Sequence, residues 1–272
     1  MRMNTKAGVA LSTTIHDPEG RMLALTRAFA PRLKEIYRAI VAEVTDATAP
    51  ELISALEQMG SALSVMPKRP LGAVRRAALE LAMRTECSHY HFCDYDRILH
   101  WMKHYPEEIR AVVHAIPQYD FLILGRSERA LESHPEIQVA TERVSNAVFS
   151  AEYGATTDIT AAARGISKEA GGSILRFSTA PDVGVDAEWP LIIQRHSDLR
   201  RGYLEVEGLE FETSTFFETE IEEAGGAKEW KDMRSELPEE RRYRHACLEG
   251  ITAATRRFAE GQGTGRGSVG KD

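Results

Sequence analysis

The sequence predicts an α/β protein: a mostly parallel central sheet flanked by helices. Three observations point there. Short apolar or β-branched runs alternate, through the first half of the chain, with longer segments of helical spacing, the pattern of parallel strands joined by crossover helices. Several of the strand-like runs end in turn residues or acidic clusters, at the edge where such sheets bind ligands. Finally, 272 residues with 43% hydrophobic side chains are enough to bury one large core.

The elements follow in order. Val9 to Ile15 is a buried strand that stops at the turn cluster His16 to Gly20. Met22 to Ile36 carries apolar residues at helical spacing, with Pro31 as a candidate kink. Ala39 to Val44 is a second strand. The segment from Pro50 to Gly60 is a helix, with proline in its first turn and glycine at its end. Ala62 to Met66 is a third strand, Ala73 to Arg84 an Ala- and Leu-rich helix, and Tyr90 to Cys93 a strand running into Asp94-Tyr95-Asp96. A helix is expected from Tyr105 or Pro106 to Ala115. Tyr119 to Leu124 is the clearest buried strand, ending in Gly125-Arg126.

The second half is less regular. His134 to Phe149 has the spacing of an amphipathic helix, and Thr156 to Gly165 is expected to be a loop of small residues holding Asp158 and Arg164. Ser167 is placed to cap a helix from Lys168. Asp186 to Ile193 is expected to be helical and Tyr203 to Phe211 a strand. Glu218 to Phe258 is charged and in part helical, and the glycine-rich stretch from Gly261 is expected to be disordered. These readings give one domain over 1–260, with a charged helical extension at 214–260, and a tail at 261–272.

Charge and cysteine content exclude some classes. Lys+Arg 34 against Asp+Glu 41 gives a formal charge of -7, so a global basic footprint for nucleic acid is absent. No apolar run is long enough to span a bilayer, and the N-terminal residues lack the apolar core of a secretion signal. The 3 cysteines, Cys87, Cys93 and Cys247, form no CxxC pair and no even disulfide set. A cytoplasmic protein without an integral membrane segment is the expectation.

The sharpest chemical feature is Asp94-Tyr95-Asp96 directly after a strand. Where a chain turns, two carboxylates so spaced can approach one divalent cation whose open positions take diphosphate oxygens. His100 and His104, four apart, and His89 and His91 raise a zinc site, but no HExxH or cysteine cluster supports one. Cys93 reads as core, and Trp101 and Trp189 as packing residues or sugar-stacking candidates.

Three segments carry a resemblance: Phe92 to Asp96, Tyr105-Pro106-Glu107-Glu108-Ile109, and Tyr119-Asp120 through Gly125-Arg126. Together they resemble the metal-site region of GT-A glycosyltransferases, the nucleotide-diphospho-sugar transferases, particularly the family-2 and dolichyl-phosphate-mannose-synthase-like group. Pro70 to Ala78, with Arg75 and Arg76, is similar to that group's helix start. Thr157 to Ala170 resembles its D-x-T-S-G-F-R-A-x-S-R-E-A segment, and Asp186 to Leu191 followed by Arg201-Gly202-Tyr203 its acceptor-side stretch. The likeness covers about residues 8 to 213 in one order. The chain departs from the group at the ends of the first two strands, lacks the Gln-x-x-Arg-Trp acceptor motif, and has no spanning segments.

The resemblance implies a GT-A-like fold, with 8–126 a nucleotide-binding half and 127–213 an acceptor half, and a metal-dependent, inverting glycosyltransferase. Its donor would be a UDP- or GDP-linked sugar, its ion Mg²⁺ or Mn²⁺, and its acceptor is left open. Asp94 and Asp96 would hold the metal. Asp17, Glu19, Asp46, Arg75, Arg76, Asp94 and Arg126 would contact the nucleotide, and Asp186 or Glu188 would be the catalytic base. A late histidine such as His245 is a candidate third ligand by analogy. A nucleotidyltransferase of similar sheet and a non-catalytic nucleotide-sugar-binding protein are the alternatives.

Overall fold

The structure is a computed structural model, and it describes residues 8–261. The first half alternates strictly: β1 (Val9–Ile15), α1 (Leu23–Ile36), β2 (Ala39–Thr45), α2 (Pro50–Gln58), β3 (Ala62–Met66), α3 (Leu71–Met83) and β4 (His89–Phe92). Two consecutive helices, α4 (Tyr95–His104) and α5 (Pro106–Ala115), lead to β5 (Phe121–Arg126). Then come α6 (Glu128–Glu132), α7 (Glu136–Tyr153), β6 (Ala163–Ser167), α8 (Lys168–Phe177), α9 (Val185–Gln194) and β7 (Arg201–Val206). The last elements are α10 (Glu218–Glu223), α11 (Ala227–Glu236) and α12 (Pro238–Ala259). The expected disordered tail from Gly261 lies, beyond that residue, outside the described residues.

One seven-stranded sheet runs β3-β2-β1-β4-β6-β5-β7. Only β6 is antiparallel to its neighbours, so the sheet is mostly parallel, as expected. Alternate strand residues feed two cores, one on each face. Leu11, Val44, Leu122 and Leu124 meet α1, α2, α4 and α5 through Leu33, Leu52, Ile98 and Ile109. Val41, Phe92, Phe121 and Ile123 meet α3, α7, α8, α9 and α12 through Leu79, Phe149, Ile174, Trp189 and Ile251. Two local signals act as expected: Ser167 Oγ accepts the Ala170 N–H at the start of α8, and Pro50 opens α2. The helix α1 runs through Pro31 without a break.

Two expectations need correction. The stretch 156–165 is not all loop, because Ala163 to Ser167 form β6, every residue buried between β4 and β5. The strand expected to reach Phe211 ends at Val206, since Gly208 packs so tightly on Trp101 that a Cβ there would sit 1.9 Å from the indole. The turn is pinned by Glu108, which accepts the N–H groups of Glu207 and Gly208 at 2.9 and 2.8 Å and the Trp101 Nε1–H at 2.7 Å. The segment from Tyr95 to His104, for which no element was expected, is a helix, its buried face made by Ile98, Leu99, Trp101 and Met102.

Candidate functional site

The strand order reverses between β1 and β4: from β1 the chain builds outward through β2 to β3, then returns to place β4 on the other side of β1. Crevices at such a reversal, outside the carboxyl ends of the strands, are where open α/β sheets bind ligands. A cavity of about 300 Å³ opens here. Thr14 and His16 reach it from the end of β1, Asp94, Asp96 and Arg97 from the end of β4, and Arg75 from α3. Glu212, from the turn after β7, and Tyr243 and Arg244, from α12, close it.

Asp94 is the residue before α4, but its carboxylate makes no capping bond to the helix. It accepts the Thr14 hydroxyl at 2.7 Å and lies 3.6 Å from a guanidinium nitrogen of Arg75. Burial raises its pKa, but Arg75, Arg97 and the Thr14 hydrogen bond outweigh that and hold it below the usual carboxylate range. Asp96 sits in the first turn of α4, where an acid complements the helix dipole, and accepts the Arg97 N–H at 2.8 Å. Burial, Glu212 and Asp94 push its pKa up to about 7 against the opposing charge of Arg97. Arg97 donates to the Ala161 carbonyl, and its Nε lies 3.7 Å from Glu212. The second carboxylate oxygen of Glu212 is buried with no hydrogen-bond partner.

Of the residues expected from sequence, the fold gathers Arg75, Asp94, Asp96 and Asp186. Arg75 is 5% exposed and bridges two of them, pairing with Asp186 and facing Asp94. The others lie elsewhere. Asp17 holds the turn that leads into α1, accepting the N–H groups of Arg21 and Met22 at 3.1 and 2.8 Å. Glu19 is exposed and pairs with Arg21, and Asp46 is exposed at the end of β2. Arg76 points away, donating to the Ala180 carbonyl at 2.7 Å, while Pro181 O accepts the Gly72 N–H at the start of α3. That helix N-terminus is thus docked on the chain instead of being presented to a phosphate. Arg126 is buried within β5 and bound to Asp158 and Glu142 at 2.8 and 2.7 Å. Glu188 is 3% exposed; it accepts from the Ser178 and Thr179 hydroxyls and from the N–H groups of Thr179 and Ala180.

Neither Trp101 nor Trp189 lines the cavity; both are core residues. His100 bonds Thr215 and Glu210, and His245 is exposed. Among the described residues, no group of three or more His, Cys, Asp or Glu side chains is arranged to hold a metal by itself.

No family model matches the chain, and no curated protein sequence is significantly similar to it. Among solved structures, it is similar to glucosyl-3-phosphoglycerate synthase of Mycobacterium tuberculosis, at 14% identity and a TM-score of 0.47, over 73% of this chain and 70% of that one. The same enzyme in complex with Mn²⁺, uridine diphosphate and glucosyl-3-phosphoglycerate gives the same identity, TM-score and coverage. Its complex with uridine diphosphate gives 12% identity and a TM-score of 0.45, over 77% of this chain and 79% of that one. Likeness at this level says nothing of a ligand.

The residues missed from sequence are Thr14, Arg97, Glu212, Tyr243 and Arg244. Thr14 and Arg97 sit within three residues of a recognised strand end or aspartate. Glu212, Tyr243 and Arg244 are brought in by the turn after Val206 and the docking of α12, for which the sequence carries no local signal.

Proposed function

We propose that the chain is a metal-dependent glycosyltransferase of the GT-A kind, moving a sugar from a nucleoside-diphosphate donor to a hydroxyl acceptor with inversion. The observation that carries this is the pairing of Asp94 and Asp96 beside Arg75 and Arg97 around one cavity at the strand reversal. The order of motifs along the chain supports it independently.

The residues fit a divalent cation. Asp94, Asp96 and Glu212, whose second oxygen has no hydrogen-bond partner, are hard oxygen donors around one cavity. Asp94 and Asp96 would hold the ion, and when bound it would neutralise charge on the diphosphate.

The chain's own residues then divide the work. Arg75 and Arg97 stand where the leaving diphosphate gathers negative charge. Thr14 and Arg75 fix the rotamer of Asp94. In the transfer, the acceptor oxygen bonds to the anomeric carbon, the bond from that carbon to the diphosphate oxygen breaks, and the electron pair leaves with the nucleoside diphosphate. The acceptor proton passes to a carboxylate, and Asp186 is the candidate, since it lies beside Arg75 and lines the adjoining cavity. Glu188, already accepting four donors, serves instead to shape 178–180 against α3.

The experiment is a panel of UDP- and GDP-sugars read by nucleotide release with Mn²⁺ present. Release from at least one donor supports the reading. Nucleotide binding without release from any donor would favour a non-catalytic binding protein, and release of inorganic diphosphate from a nucleoside triphosphate would favour a nucleotidyltransferase.

A further inference from the structure

The sheet ends at β7, and Arg201-Gly202-Tyr203, which opens that strand, takes no part in the cavity at the strand reversal. We infer that the outer edge of β7 pairs antiparallel with β7 of a second copy of this chain, carrying the sheet across a two-fold axis at Tyr203. The inference is independent of the transferase reading.

The backbone comes first. Along a strand, successive residues turn their N–H and C=O groups to opposite sides. The Arg200 carbonyl accepts the Phe121 N–H at 3.2 Å, and the Val206 carbonyl accepts the Ser127 N–H at 3.1 Å, so the even-numbered residues of this stretch bond toward β5. Arg201, Tyr203 and Glu205 therefore turn theirs outward, where no strand lies among the described residues. Proline, bulges and very short strands close an edge to pairing. The strand β7 has no proline, and its register with β5 is unbroken from Arg201 to Val206.

Charge then selects the partner. Arg201 and Glu205 are both exposed, and neither has an oppositely charged partner among the described residues; the Arg201 guanidinium donates to the Gln194 carbonyl at 3.5 Å. In an antiparallel pair, outward-facing residues lie opposite one another and exchange both backbone bonds. With the two-fold axis on Tyr203, Arg201 faces Glu205 of the partner subunit and Glu205 faces the partner's Arg201, so each free charge meets its opposite. An axis on Arg201 or on Glu205 would set like charges face to face, which is unfavourable, and the registers between set a charge against Tyr203. The strand is thus complementary to itself in one register.

That register also covers the apolar side chains the edge leaves open. Tyr203 and Leu204 are 38% and 37% exposed. Tyr203 meets its own counterpart at the axis, and Leu204 lies opposite Gly202 of the partner subunit, which has no side chain to obstruct it. Gly202 is kept bare from within, since a Cβ there would sit 2.5 Å from the Tyr119 ring. The strands β5 and β6 separate β7 from β4, so the pairing leaves the cavity at the end of β4 open.

Sedimentation velocity of the full-length chain, from low micromolar to submillimolar concentration, tests this. A ladder of this length falls at the small end of specific interfaces, below about 1,200 Å², so a reversible monomer–dimer equilibrium is expected within that range. Arg201→Glu and Glu205→Arg each set like charges opposite one another and should weaken dimerisation about tenfold or more, with unchanged circular dichroism spectra. In a mixture of the two variants, a mixed pair regains opposite charges at both positions, so the mixture should dimerise within about threefold of wild type. That recovery reads the register, because it requires residue 201 of one copy to face residue 205 of the other. A chain that stays monomeric throughout the range would leave β7 to a strand of some other protein and overturn the inference. So would a dimer that either variant leaves unchanged, or variants that do not recover on mixing.

Discussion

Thr14 and Asp94 are 80 residues apart in sequence, yet the Thr14 hydroxyl donates to the Asp94 carboxylate at 2.7 Å across the point where the strand order reverses. The bond spans adjacent strand ends, so it fixes the first acid of the pair relative to the sheet itself. Thr14→Val keeps the shape and removes the bond. A hydrogen bond to a charged group contributes about 1.5 to 3 kcal/mol, less here because the Asp94 side chain is 25% exposed. The variant should fold, lose about 1 kcal/mol in a urea titration, and bind UDP with Mn²⁺ several-fold more weakly. Equal affinity would show that Asp94 needs no such tether.

Ala162 has φ 56, the only positive value outside glycine among the described residues. It occupies the position at which the segment it resembles carries glycine, and it stands beside the Ala161 carbonyl that accepts from Arg97. A left-handed conformation costs an L-residue about 1 to 2 kcal/mol, partly offset in glycine by the freer unfolded chain. Ala162→Gly should therefore stabilise the protein by about 0.5 to 1 kcal/mol, raising Tm by about 2 °C. A fall in Tm on thermal denaturation would mean that the strain is held for no cost.

Arg126, expected from sequence at the phosphate, lies instead in a buried network with Asp158, Glu142 and Thr160. Arg126→Met leaves Asp158 buried without its cation and Glu142 with only Arg244 at 3.8 Å, and should cost roughly 3 to 5 kcal/mol by urea denaturation. A loss below about 1 kcal/mol would contradict the structural role.

His91 is fully buried, with Nδ1 bonded to the Tyr37 hydroxyl at 2.7 Å and Nε2 without a partner. Burial lowers its pKa to about 3. An unfolded histidine titrates near ~6.5, so between the two values the unfolded state binds the extra proton and the folded state does not. Stability from this group is whole above ~6.5 and is lost as pH falls toward 3, at about 1.4 kcal/mol per pH unit within the window. His91→Phe should remove that slope. Denaturant titrations from pH 7 to 4 that give parallel curves for wild type and variant would refute it.

The first three strands were legible because β1, β2 and β3 are runs of β-branched or apolar residues between turn signals, and all their neighbours are parallel. The strand β6 was not, since Ala163, Arg164 and Gly165 have no strand preference of their own. Its place comes from two neighbours: Gly165 lets Ile116 and Leu122 approach, where a Cβ would sit 2.7 Å from Ile116. In the site, Asp94 and Asp96 could be read because strand end and acid pair are adjacent in the chain. Arg126 and Glu188 misled because a charged residue after a strand or at a helix start looks the same whether it faces a ligand or a buried partner. Which it faces is decided by Asp158, 32 residues on from Arg126 in another segment, and by the 178–180 turn, which carries no motif.

The central claim is that the acid pair binds a nucleoside diphosphate through a divalent cation. It is tested most directly by calorimetric titration of UDP into wild type and Asp96→Asn, each with and without Mn²⁺. The account predicts that wild type binds at least tenfold more tightly with Mn²⁺, and that Asp96→Asn, with an unchanged circular dichroism spectrum, loses that dependence. UDP binding of equal strength in all four titrations, or no UDP binding by folded wild type with Mn²⁺ present, would contradict it.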